Sequence, residues 1–559
     1  MSDACIVLKE SNCRNCYKCI RQCPVKSIRF ASGEATVIDE DCILCGRCVV
    51  ACPQGAKQPR CDLPRARFLM SFSGAPVYAS VAPSFVAHWG VSFDAVRRAL
   101  LALGFSGAEE TAQGATLVKQ EYDRMLREGR QEVIVSSCCP SVNLLMQKYF
   151  PETLRCLAPV LSPMRAHAAQ IKSEHPNAKV VFMGPCVAKK DEAQRYEGEV
   201  DAALTFAEVD DWLAEAGIAL EDEAESVERG RARSFPVTGG ILRSMEMENA
   251  EYAYLAVDGV ENCITALRDI EQGRMGRCFI EMSACAGSCA GGPIMAREKR
   301  AGVRGAAAVL RRSGGPELAG PSLEQDALTC AFSPLASVRR EPTEEEIEEV
   351  LRKLGKTTRE QELNCGCCGY DTCREKAAAV CMGKADLTMC LPYLKEKAES
   401  FSDTILSNTP NGVLVLSEAL KVQQINAAAC AMLGLSGARE ALGAPVSDFI
   451  DPAPLEAMLR GEPVGARRAV LARTGVHVDQ TVLRDAEYHV VMVIMRDVTR
   501  EENTLARKEE ARRQTVEVTD KIINKQMRVV QEIASLLGET TAEMKVALTN
   551  LKESVKDER

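Results

Sequence analysis

The sequence predicts a multidomain protein of the α/β and α+β classes, in which cysteine-rich modules flank a larger α/β domain. Its 559 residues exceed the size at which a single hydrophobic core stops growing, so several domains are expected. Its 26 cysteines fall largely into short, regularly spaced groups. Between those groups, apolar runs with the length of strands alternate with segments of helical periodicity.

The composition narrows the classes of partner. With 46% apolar and 26% charged residues, the chain resembles an ordinary globular protein, and its net charge of −9 argues against nucleic acid. No apolar run approaches the ~20 residues of a membrane span, and MSDACIVLKE lacks the features of a secretory signal. We therefore expect a cytoplasmic protein with no membrane partner, whose many thiols are metal ligands before disulfides.

Residues 1–62 are predicted to form a ferredoxin-type domain with two [4Fe–4S] clusters. The segments CRNCYKCIRQCP and CILCGRCVVACP repeat the spacing C-x2-C-x2-C-x3-C-P, in which three thiolates hold one cubane and the fourth reaches the other. Zinc is the alternative, but zinc sites rarely use such a run followed by proline. The stretch resembles a bacterial two-cluster ferredoxin. The expected ligands are Cys13, Cys16, Cys19 and Cys52 for the first cluster and Cys42, Cys45, Cys48 and Cys23 for the second.

Residues 76–335 are typical of an α/β domain, because runs such as VIVSS, KVVFMG and CFIEM alternate with helical periods such as DAVRRALLALG. Three short motifs in this domain carry cysteines: SSCCPSV, MGPCVAKKDE and EMSACAGSCAGGP. Soft thiolate ligands suit iron clusters. The cysteines concerned are Cys138, Cys139, Cys186, Cys285 and Cys289.

Residues 340–399 are predicted to form a small helical [4Fe–4S] domain. Thr343 and Glu346 indicate a capping box, and Gly355 indicates the end of that helix. The spacing C-x2-C-x4-C-x16-C resembles the small [4Fe–4S] domain of corrinoid proteins and redox regulators, with zinc as the alternative. Its ligands would be Cys365, Cys368, Cys373 and Cys390. The thiols expected to be buried without a metal are Cys5, Cys61, Cys156, Cys263, Cys278, Cys330, Cys367, Cys381 and Cys430.

Residues 400–500 resemble a PAS domain in the segment NGVLVLS, in Asn426 and in VMVIMRDVTREE, although any small α/β fold is the alternative. Residues 501–559 are predicted to form a coiled-coil or paired helix that signals or dimerises. The final helix contains no histidine and no ATP-binding motif follows, so the output is expected to pass to a partner. Its apolar positions are Ile523, Met527, Val530, Ala534, Leu537, Met544 and Leu548.

The three central motifs resemble, in order and content, the signature motifs of the [FeFe]-hydrogenase catalytic domain. In that family a cubane shares one cysteine with a diiron subcluster that carries CO and CN ligands. The resemblance implies that Cys139, Cys186, Cys285 and Cys289 hold the cubane and that Cys289 bridges to the diiron unit.

The same resemblance assigns roles to four further residues. Cys138 would relay protons, Lys189 would bind one cyanide, Glu192 would be its neighbouring carboxylate, and Ser84 would donate to the second cyanide. Filling a core is the alternative role for Cys138, and capping a turn is the alternative for Ser84.

Several positions depart from the family pattern. Gly184 and Ser283 stand where catalytic members carry methionine, and Ala158 stands where their proton path has a serine. Glu109 and Glu110 keep carboxylates near the expected start of that path. These departures, with the attached small [4Fe–4S] and PAS modules, resemble a sensory subgroup of the [FeFe]-hydrogenases.

The resemblance implies an iron hydrogenase of low activity or an H2 sensor that signals through the PAS domain. The alternatives are a high-turnover, ferredoxin-linked hydrogenase and a non-catalytic iron–sulfur protein without a diiron unit. The implied partners are H2, protons, an electron carrier such as ferredoxin and a downstream signalling protein. The sequence leaves open the direction of electron flow, the PAS ligand, and whether the last helix forms a homodimer or a hetero-complex.

Overall fold

The computed structural model of the protein describes residues 4–9, 12–221, 229–295, 302–318, 322–335 and 341–554. These residues belong to two compact units, Met1–Leu394 and Lys395–Arg559. The first unit contains the ferredoxin-type module, the central α/β domain and the small helical domain. The second contains an antiparallel sheet and the long C-terminal helix.

The ferredoxin-type module is built from two short helices and two strand pairs. Strand β1 pairs antiparallel with β4, and β2 pairs antiparallel with β3. Fully buried Ile20, Ile28 and Ile43 fill the space between the cysteine runs. The elements are β1 (Ile6–Leu8), α1 (Lys18–Gln22), β2 (Ile28–Ala31), β3 (Glu34–Val37), α2 (Arg47–Ala51) and β4 (Lys57–Pro59).

The central domain alternates strands and helices along the chain. Its first half contains α3 (Leu63–Phe72), β5 (Val77–Val81), α4 (Phe85–Trp89), α5 (Phe93–Ala102), β6 (Gly107–Glu110), α6 (Ala112–Glu128), β7 (Val133–Val135), α7 (Pro140–Tyr149) and α8 (Pro163–Glu174). Its second half contains β8 (Lys179–Gly184), α9 (Ala188–Arg195), β9 (Ala202–Thr205), α10 (Phe206–Ala216), α11 (Gly240–Ser244), β10 (Ala253–Asp258), α12 (Val260–Glu271), β11 (Cys278–Ser283), α13 (Gly302–Arg312) and α14 (Gln325–Leu328).

The strands of the central domain form two parallel sheets. One has the order β6-β5-β8-β9 and the other the order β10-β11-β7. Because all these strands are parallel within their sheet, the loops that follow them emerge at one edge of each sheet, where α/β proteins place their sites. Each of the three cysteine motifs begins at the carboxyl end of such a strand: β7, β8 or β11.

The small helical domain packs α15 (Glu344–Lys353) against α16 (Cys373–Cys381) through buried Leu351 and Ala377. Thr343 and Glu346 form the predicted capping box, and Gly355 takes a φ of 72° just after the helix. A left-handed residue at that point ends a helix without steric cost only if it is glycine. Helix α17 (Leu391–Asn408) begins directly after Cys390.

The second unit contains a five-stranded antiparallel sheet of order β13-β12-β16-β15-β14. Its core is closed by apolar side chains such as Leu414, Leu455 and Val493. The elements are β12 (Gly412–Ser417), β13 (Val422–Ile425), α18 (Ala427–Leu433), α19 (Ala453–Leu459), β14 (Arg467–Val470), β15 (His477–Asp485), β16 (Val490–Asp497) and α20 (Thr499–Ser554).

The predicted fold class, a multidomain α/β and α+β protein with a helical C-terminus, is confirmed. The predicted burial of Cys61 is wrong, because Cys61 is exposed. It lies in the short connection between β4 and α3, where the next residue, Asp62, takes the buried position and bonds Arg60 at 2.8 Å. None of the described helices combines the length and the apolar character needed to cross a membrane.

The buried side chain of Asn426 forms hydrogen bonds with four backbone groups of the second unit. Its side-chain oxygen accepts from Val413 N and Ala429 N, both at 2.9 Å, and its amide donates to Leu406 O and Asn411 O, both at 2.9 Å. It thereby caps α18 and fixes the start of β12.

Replacing Asn426 with Ala leaves these buried backbone groups unpaired, so we expect local opening to become easier by about 2 kcal/mol. In hydrogen-exchange mass spectrometry of the full chain, peptides covering β12 would exchange roughly 30-fold faster. Asn408→Ala is the control, because its exposed amide bonds only Thr404 O within its own helix. Equal exchange in both variants would contradict the role given to Asn426.

Candidate active site

A cavity of about 120 Å³ lies where the carboxyl ends of the two parallel sheets meet. Each sheet contributes loops to its wall, since segments that follow β5, β6, β7, β8 and β11 all line it. Lining residues include the five cysteines of the three central motifs, Cys138, Cys139, Cys186, Cys285 and Cys289. The structure therefore brings together five cysteines that are up to 151 positions apart in the sequence, from Cys138 to Cys289.

The sulfurs of the cavity cysteines lie close to one another and are desolvated by the surrounding protein, although Cys138, Cys139, Cys186 and Cys285 are only half-buried as residues and Cys289 is exposed. Burial raises the pKa of Cys186 to about 11 and that of Cys289 to about 12, and in both cases neighbouring thiolates raise the pKa further. The pKa of Cys285 is raised well above its usual value for the same two reasons. If these thiols act together as thiolates, a cationic metal centre would offset their mutual repulsion, and its binding would release their protons.

Lys189 is the cation in the cavity wall. Its Nζ donates to Glu192 Oε2 at 2.6 Å, and Ser162 Oγ donates to the same oxygen at 3.1 Å. Both members of the ion pair are buried. Lys189 lines the cavity, so Glu192 holds the ammonium in place beside the space that an anionic ligand would fill.

Ser84 lies at the start of α4, on the cavity wall and fully buried. Its Oγ has no hydrogen-bond partner among the described residues. A buried hydroxyl without a partner is costly, so its place in the wall fits a ligand that accepts a hydrogen bond from it.

Cys138 contacts a residue that the sequence analysis did not select. Its Sγ lies 3.2 Å from the hydroxyl of Tyr122, which in turn accepts from Ser137 N at 2.9 Å. Burial raises the pKa of Cys138 to about 12, and the hydrogen bond to Tyr122 only partly offsets that shift. Cys138 is thus a neutral thiol at neutral pH. Tyr122 gave no sequence signal, because its position in α6 has the periodicity of a core residue.

Glu281 is a second residue of the cavity that the sequence analysis missed. It accepts hydrogen bonds from Gly239 N and Ile241 N, both at 2.9 Å, and from Leu242 N at 3.1 Å. Burial raises its pKa to about 7, although these amides lower it in part. A carboxylate inside the apolar strand CFIEM was the signal that could have found it, because buried glutamates are rare without a function or partner.

The structure gives a reason for the departure from the family pattern at Gly184 and locates the other two departures, Ser283 and Ala158. A Cβ on Gly184 would lie 2.7 Å from Phe182 Cζ and 3.2 Å from Ala82 Cβ. Phe182 lines the cavity, so its ring occupies space that a longer side chain at Gly184 would need. Ser283 lines the cavity as well, whereas Ala158 is fully buried in the apolar cluster beside Cys138.

Glu109 and Glu110 lie apart from the cavity wall, although the lining residue Thr111 follows them directly in the sequence. Glu110 forms a buried ion pair with Arg233, whose Nε donates to it at 2.9 Å. Glu109 contacts His167 Nε2 at 3.3 Å, and this hydrogen bond lowers the pKa of Glu109.

The expected ligands of the second cluster line a cavity of their own. Cys23, Cys42, Cys45 and Cys48 all contribute to its wall, and Cys45 also lines the larger cavity. Backbone amides point at two of these sulfurs, with Ser27 N to Cys23 Sγ and Leu44 N to Cys42 Sγ both at 3.3 Å. Such bonds tune the reduction potential of a cluster.

The second-cluster site is held directly against the larger cavity. Helix α7 begins one residue after Cys139, and its far end bonds the second cysteine run: Lys148 Nζ donates to Cys42 O at 2.7 Å, and the Tyr149 hydroxyl to Asp41 O at 2.6 Å. Arg47 also pairs with Glu261 of the central domain. The two sites therefore keep a fixed separation.

The expected ligands of the first cluster lie at the edge of the module. Cys16 is exposed, whereas Cys19 and Cys52 are buried. Burial raises the pKa of Cys19 to about 11, and the nearby charges of Cys16 and Cys52 raise it further. This set of thiols is therefore the more accessible of the two.

The small helical domain brings Cys365, Cys368, Cys373 and Cys390 to one cavity of about 20 Å³. Buried Lys376 shares that cavity, and burial lowers its pKa to about 8. Cys367 and Cys381 do not line it. The expectation that Cys367 is buried is wrong, because it is exposed in the loop whose flanking residues Gly366 and Cys368 face the cavity.

This third site is docked on the ferredoxin-type module. Arg21 Nη2 donates to Cys367 O at 3.3 Å, and Lys26 Nζ donates to Gly369 O at 3.1 Å. Buried Tyr370 has its pKa raised to a value beyond the ordinary range by burial, with the charges of Cys368 and Cys23 acting in the same direction. Tyr370 thus lies near thiols of both the third and the second site.

Comparisons with known families agree with this arrangement. Residues 75–293 match the C-terminal domain of the iron-only hydrogenase large subunit, and residues 12–56 match the 4Fe-4S dicluster domain. Residues 361–392 match a family described as a putative Fe-S cluster, and residues 400–498 match the PAS fold.

Individual relatives are more distant. Iron hydrogenase 1 of Clostridium pasteurianum is 23% identical over 370 residues, which span 47% of this chain and 64% of the relative. The periplasmic [Fe] hydrogenase large subunit of Nitratidesulfovibrio vulgaris is 29% identical over 145 residues, 22% of this chain and 34% of the relative. The chain thus spans less than two thirds of the length of these curated relatives.

Two solved structures are similar to parts of this chain. A variant of the [FeFe]-hydrogenase from Chlamydomonas reinhardtii has 17% sequence identity and a TM-score of 0.38, and the match covers 48% of this chain and 97% of that one. The PAS domain of an HTR-like protein from Haloarcula marismortui has 26% identity and a TM-score of 0.16, with 18% of this chain and 98% of that one covered.

The matched families define an iron–sulfur protein with a PAS fold. More specifically, residues 75–293 match the iron-only hydrogenase family, so the chain is an [FeFe]-hydrogenase-like protein. The attached PAS fold fits the sensory subgroup of that family.

Substitution of one third-site cysteine tests the assigned ligand set. Cys373→Ser is expected to remove one cubane, and hence four irons and four sulfides, from the purified chain, because a lost thiolate opens the cluster. Iron and sulfide analysis with electron paramagnetic resonance measures the loss. Cys381→Ser is the control on the same helix α16, since Cys381 lies outside the cavity. An unchanged iron content in Cys373→Ser would contradict the assignment.

Proposed function

We propose that the protein is a slow, H2-responsive [FeFe]-hydrogenase whose redox state is signalled through its PAS fold. The observation that carries this proposal is the single cavity lined by Cys139, Cys186, Cys285 and Cys289 together with Lys189 and Ser84. A cavity with four soft ligands, one buried cation and one free hydroxyl suits an iron cluster that carries anionic ligands.

The residues of the cavity fit a cubane joined to a diiron unit. The four cysteines would hold the cubane, with Cys289 bridging to the diiron unit. Lys189 and the unpartnered Ser84 hydroxyl would each donate a hydrogen bond to a cyanide ligand. Bound there, the diiron unit would supply the chemistry of splitting or forming H2.

Cys138 would carry protons at the edge of the cavity. It is a neutral thiol beside the Tyr122 hydroxyl, at 3.2 Å, so it can donate one proton and accept another without holding a buried charge. Glu281, with a pKa raised to about 7 by burial, offers a carboxyl group in the same wall that changes protonation near neutral pH.

Electrons would move through the contiguous cluster sites. Cys45 lines both the cavity of the three cysteine motifs, here called the active cavity, and the second-cluster cavity. The second cluster would therefore be the first to exchange electrons with the active site. From there, the exposed first-cluster site around Cys16 would serve a ferredoxin-type carrier. The docked third site, whose last ligand Cys390 precedes α17, would instead report the redox state towards the second unit.

The altered wall favours sensing or slow catalysis over high turnover. Phe182 fills space beside Gly184, and Ala158 gives no hydroxyl for the proton path of catalytic members. A non-catalytic iron–sulfur protein is disfavoured, because Lys189 and Ser84 serve no evident purpose in a cavity that holds only a cubane.

The C-terminal helix α20 would pair with a second copy of the chain. Apolar side chains at alternating spacings of three and four remain exposed in the monomer, as at Ile523, Met527, Val530 and Leu537. These apolar residues form a stripe along the helix, here called the seam, and such a seam is buried when two helices form a coiled coil. The signalling partner would then act on this dimer.

Infrared spectroscopy of anaerobically matured full chain tests the proposed function. We expect iron-bound CO and CN bands that shift when H2 is added, and we expect Cys138→Ala to keep the bands but slow the shift by about 100-fold. The full chain purified without maturation is the control and would lack the bands. Absence of the bands after maturation would overturn the proposal and leave an iron–sulfur relay.

Charge in the seam of α20 tests the dimer. Val530→Glu combined with Leu537→Glu is expected to yield a monomer in analytical ultracentrifugation, whereas the parent chain sediments as a dimer, because paired glutamates would be buried facing each other. Val546→Glu is the control, since exposed Val546 lies outside the seam. A monomeric parent chain, or a dimeric double variant, would contradict this assembly.

A further inference from the structure

A continuous chain of hydrogen bonds joins a partly exposed carboxylate to the wall of the active cavity. Glu109 Oε2 lies 3.3 Å from His167 Nε2, and His167 Nδ1 lies 2.8 Å from Ser80 Oγ. Ser80 Oγ lies 2.8 Å from Thr111 Oγ1, and Thr111 lines the cavity. The chain includes neither Cys138 nor Tyr122.

Strands β5 and β6, together with helix α8, bring these four residues next to one another. Glu109 is in β6, Thr111 follows that strand at the start of α6, and Ser80 is in the neighbouring strand β5. Ser80 and Glu109 are register partners across the two strands. His167 comes from α8, which covers this part of the sheet. None of the four lies in the three cysteine motifs.

Burial increases towards the cavity. The Glu109 side chain is 25% exposed, so it can exchange protons with water, whereas the His167 side chain is 0% exposed. Ser80 and Thr111 are also buried. A buried imidazole between a carboxylate and a hydroxyl is a costly arrangement unless its bonds are all satisfied, as both ring nitrogens are here.

The geometry points to a second proton relay, from Glu109 through His167 and Ser80 to Thr111, which serves the active cavity independently of Cys138. The inference rests on the proposed function, because protons are the substrate or product of that chemistry. It would supply protons to a cavity whose conventional path has Ala158 in place of a serine, because the relay runs along the sheet of β5 and β6 and not along that of β7.

Each step of the relay conserves protons and charge. When His167 carries its proton on Nδ1, a proton taken from water by the Glu109 carboxylate passes to Nε2 while the proton on Nδ1 moves to Ser80 Oγ. The product is the tautomer whose Nε2–H donates to the Glu109 carboxylate, and that tautomer is the starting point for transfer in the outward direction. Ser80 releases its own hydroxyl proton to Thr111 Oγ1, which releases its hydroxyl proton into the cavity. Reversal of the same steps carries a proton outwards, since imidazole and hydroxyl groups both donate and accept.

Removing the Thr111 hydroxyl from a variant that already lacks the Cys138 thiol tests the relay. In the matured full chain carrying Cys138→Ala, the infrared bands are expected to keep a slow response to H2. Adding Thr111→Val removes the hydroxyl at nearly constant volume and should slow that response by a further tenfold or more, roughly the lower range of proton-transfer effects. Adding Thr111→Ser should leave it within about twofold.

A matched control separates the relay from helix stability. Thr116 is a buried threonine of the same helix α6, and its hydroxyl donates to Ala112 O at 3.1 Å without lining the cavity. Thr116→Val in the same background should leave the rate unchanged. Equal rates of the infrared response in Thr111→Val and Thr116→Val would overturn the relay, and so would the absence of any residual response in Cys138→Ala alone. If the infrared bands themselves are normal in these variants, the proposed function still stands.

A second readout does not depend on the diiron unit. The chain contains 5 histidines, so labelling with 15N-histidine gives few signals, and His167→Gln identifies that of His167 in unmatured full chain. Ser80→Ala removes the partner of Nδ1 and should shift the side-chain nitrogen signals of His167. Unshifted signals would show that no hydrogen bond joins His167 to Ser80, which would overturn the relay. Absence of infrared bands in the matured parent protein would overturn both the relay and the proposed function.

Discussion

The convergence of four thiols on one cavity is the constraint on which the rest of the site depends. Cys139, Cys186, Cys285 and Cys289 follow three strands of two sheets. Desolvation by the surrounding protein, and after it the neighbouring thiolates, raise the pKa values of Cys186, Cys285 and Cys289. We propose that a cationic iron centre binds this set as thiolates, because its charge would offset their mutual repulsion. Lys189, held by Glu192, and the unpartnered Ser84 then face the space beside that centre.

Fixed contacts extend this constraint to the neighbouring cluster sites. Helix α7 runs from Cys139 to Tyr149, which bonds the second cysteine run, and Cys45 is common to two cavities. Arg21 and Lys26 tie the third site to the same module. Electron transfer falls steeply with distance, so a rigid set of contiguous sites is the physical requirement for carrying a redox signal away from the cavity.

Local spacing explains why much of the molecule could be predicted from the sequence. The cysteine runs, the capping box at Thr343 and the strand-helix alternation depend on near neighbours in the chain. Tyr122, Glu281 and His167 could not be assigned roles, because their contacts with Cys138, the Gly239 loop and Ser80 arise only when distant strands align. The exposure of Cys61 and Cys367 was missed for the same reason, since burial depends on tertiary packing.

The central claim is that the cavity holds a cubane joined to a diiron unit. Anomalous X-ray diffraction at the iron edge, from crystals of the matured full chain, tests it most directly because it locates iron atoms against named residues. The account predicts a cubane bound by the four cysteines and two further irons between Cys289, Lys189 and Ser84. A cubane without those two irons, in crystals of chain that has been fully matured, would contradict it.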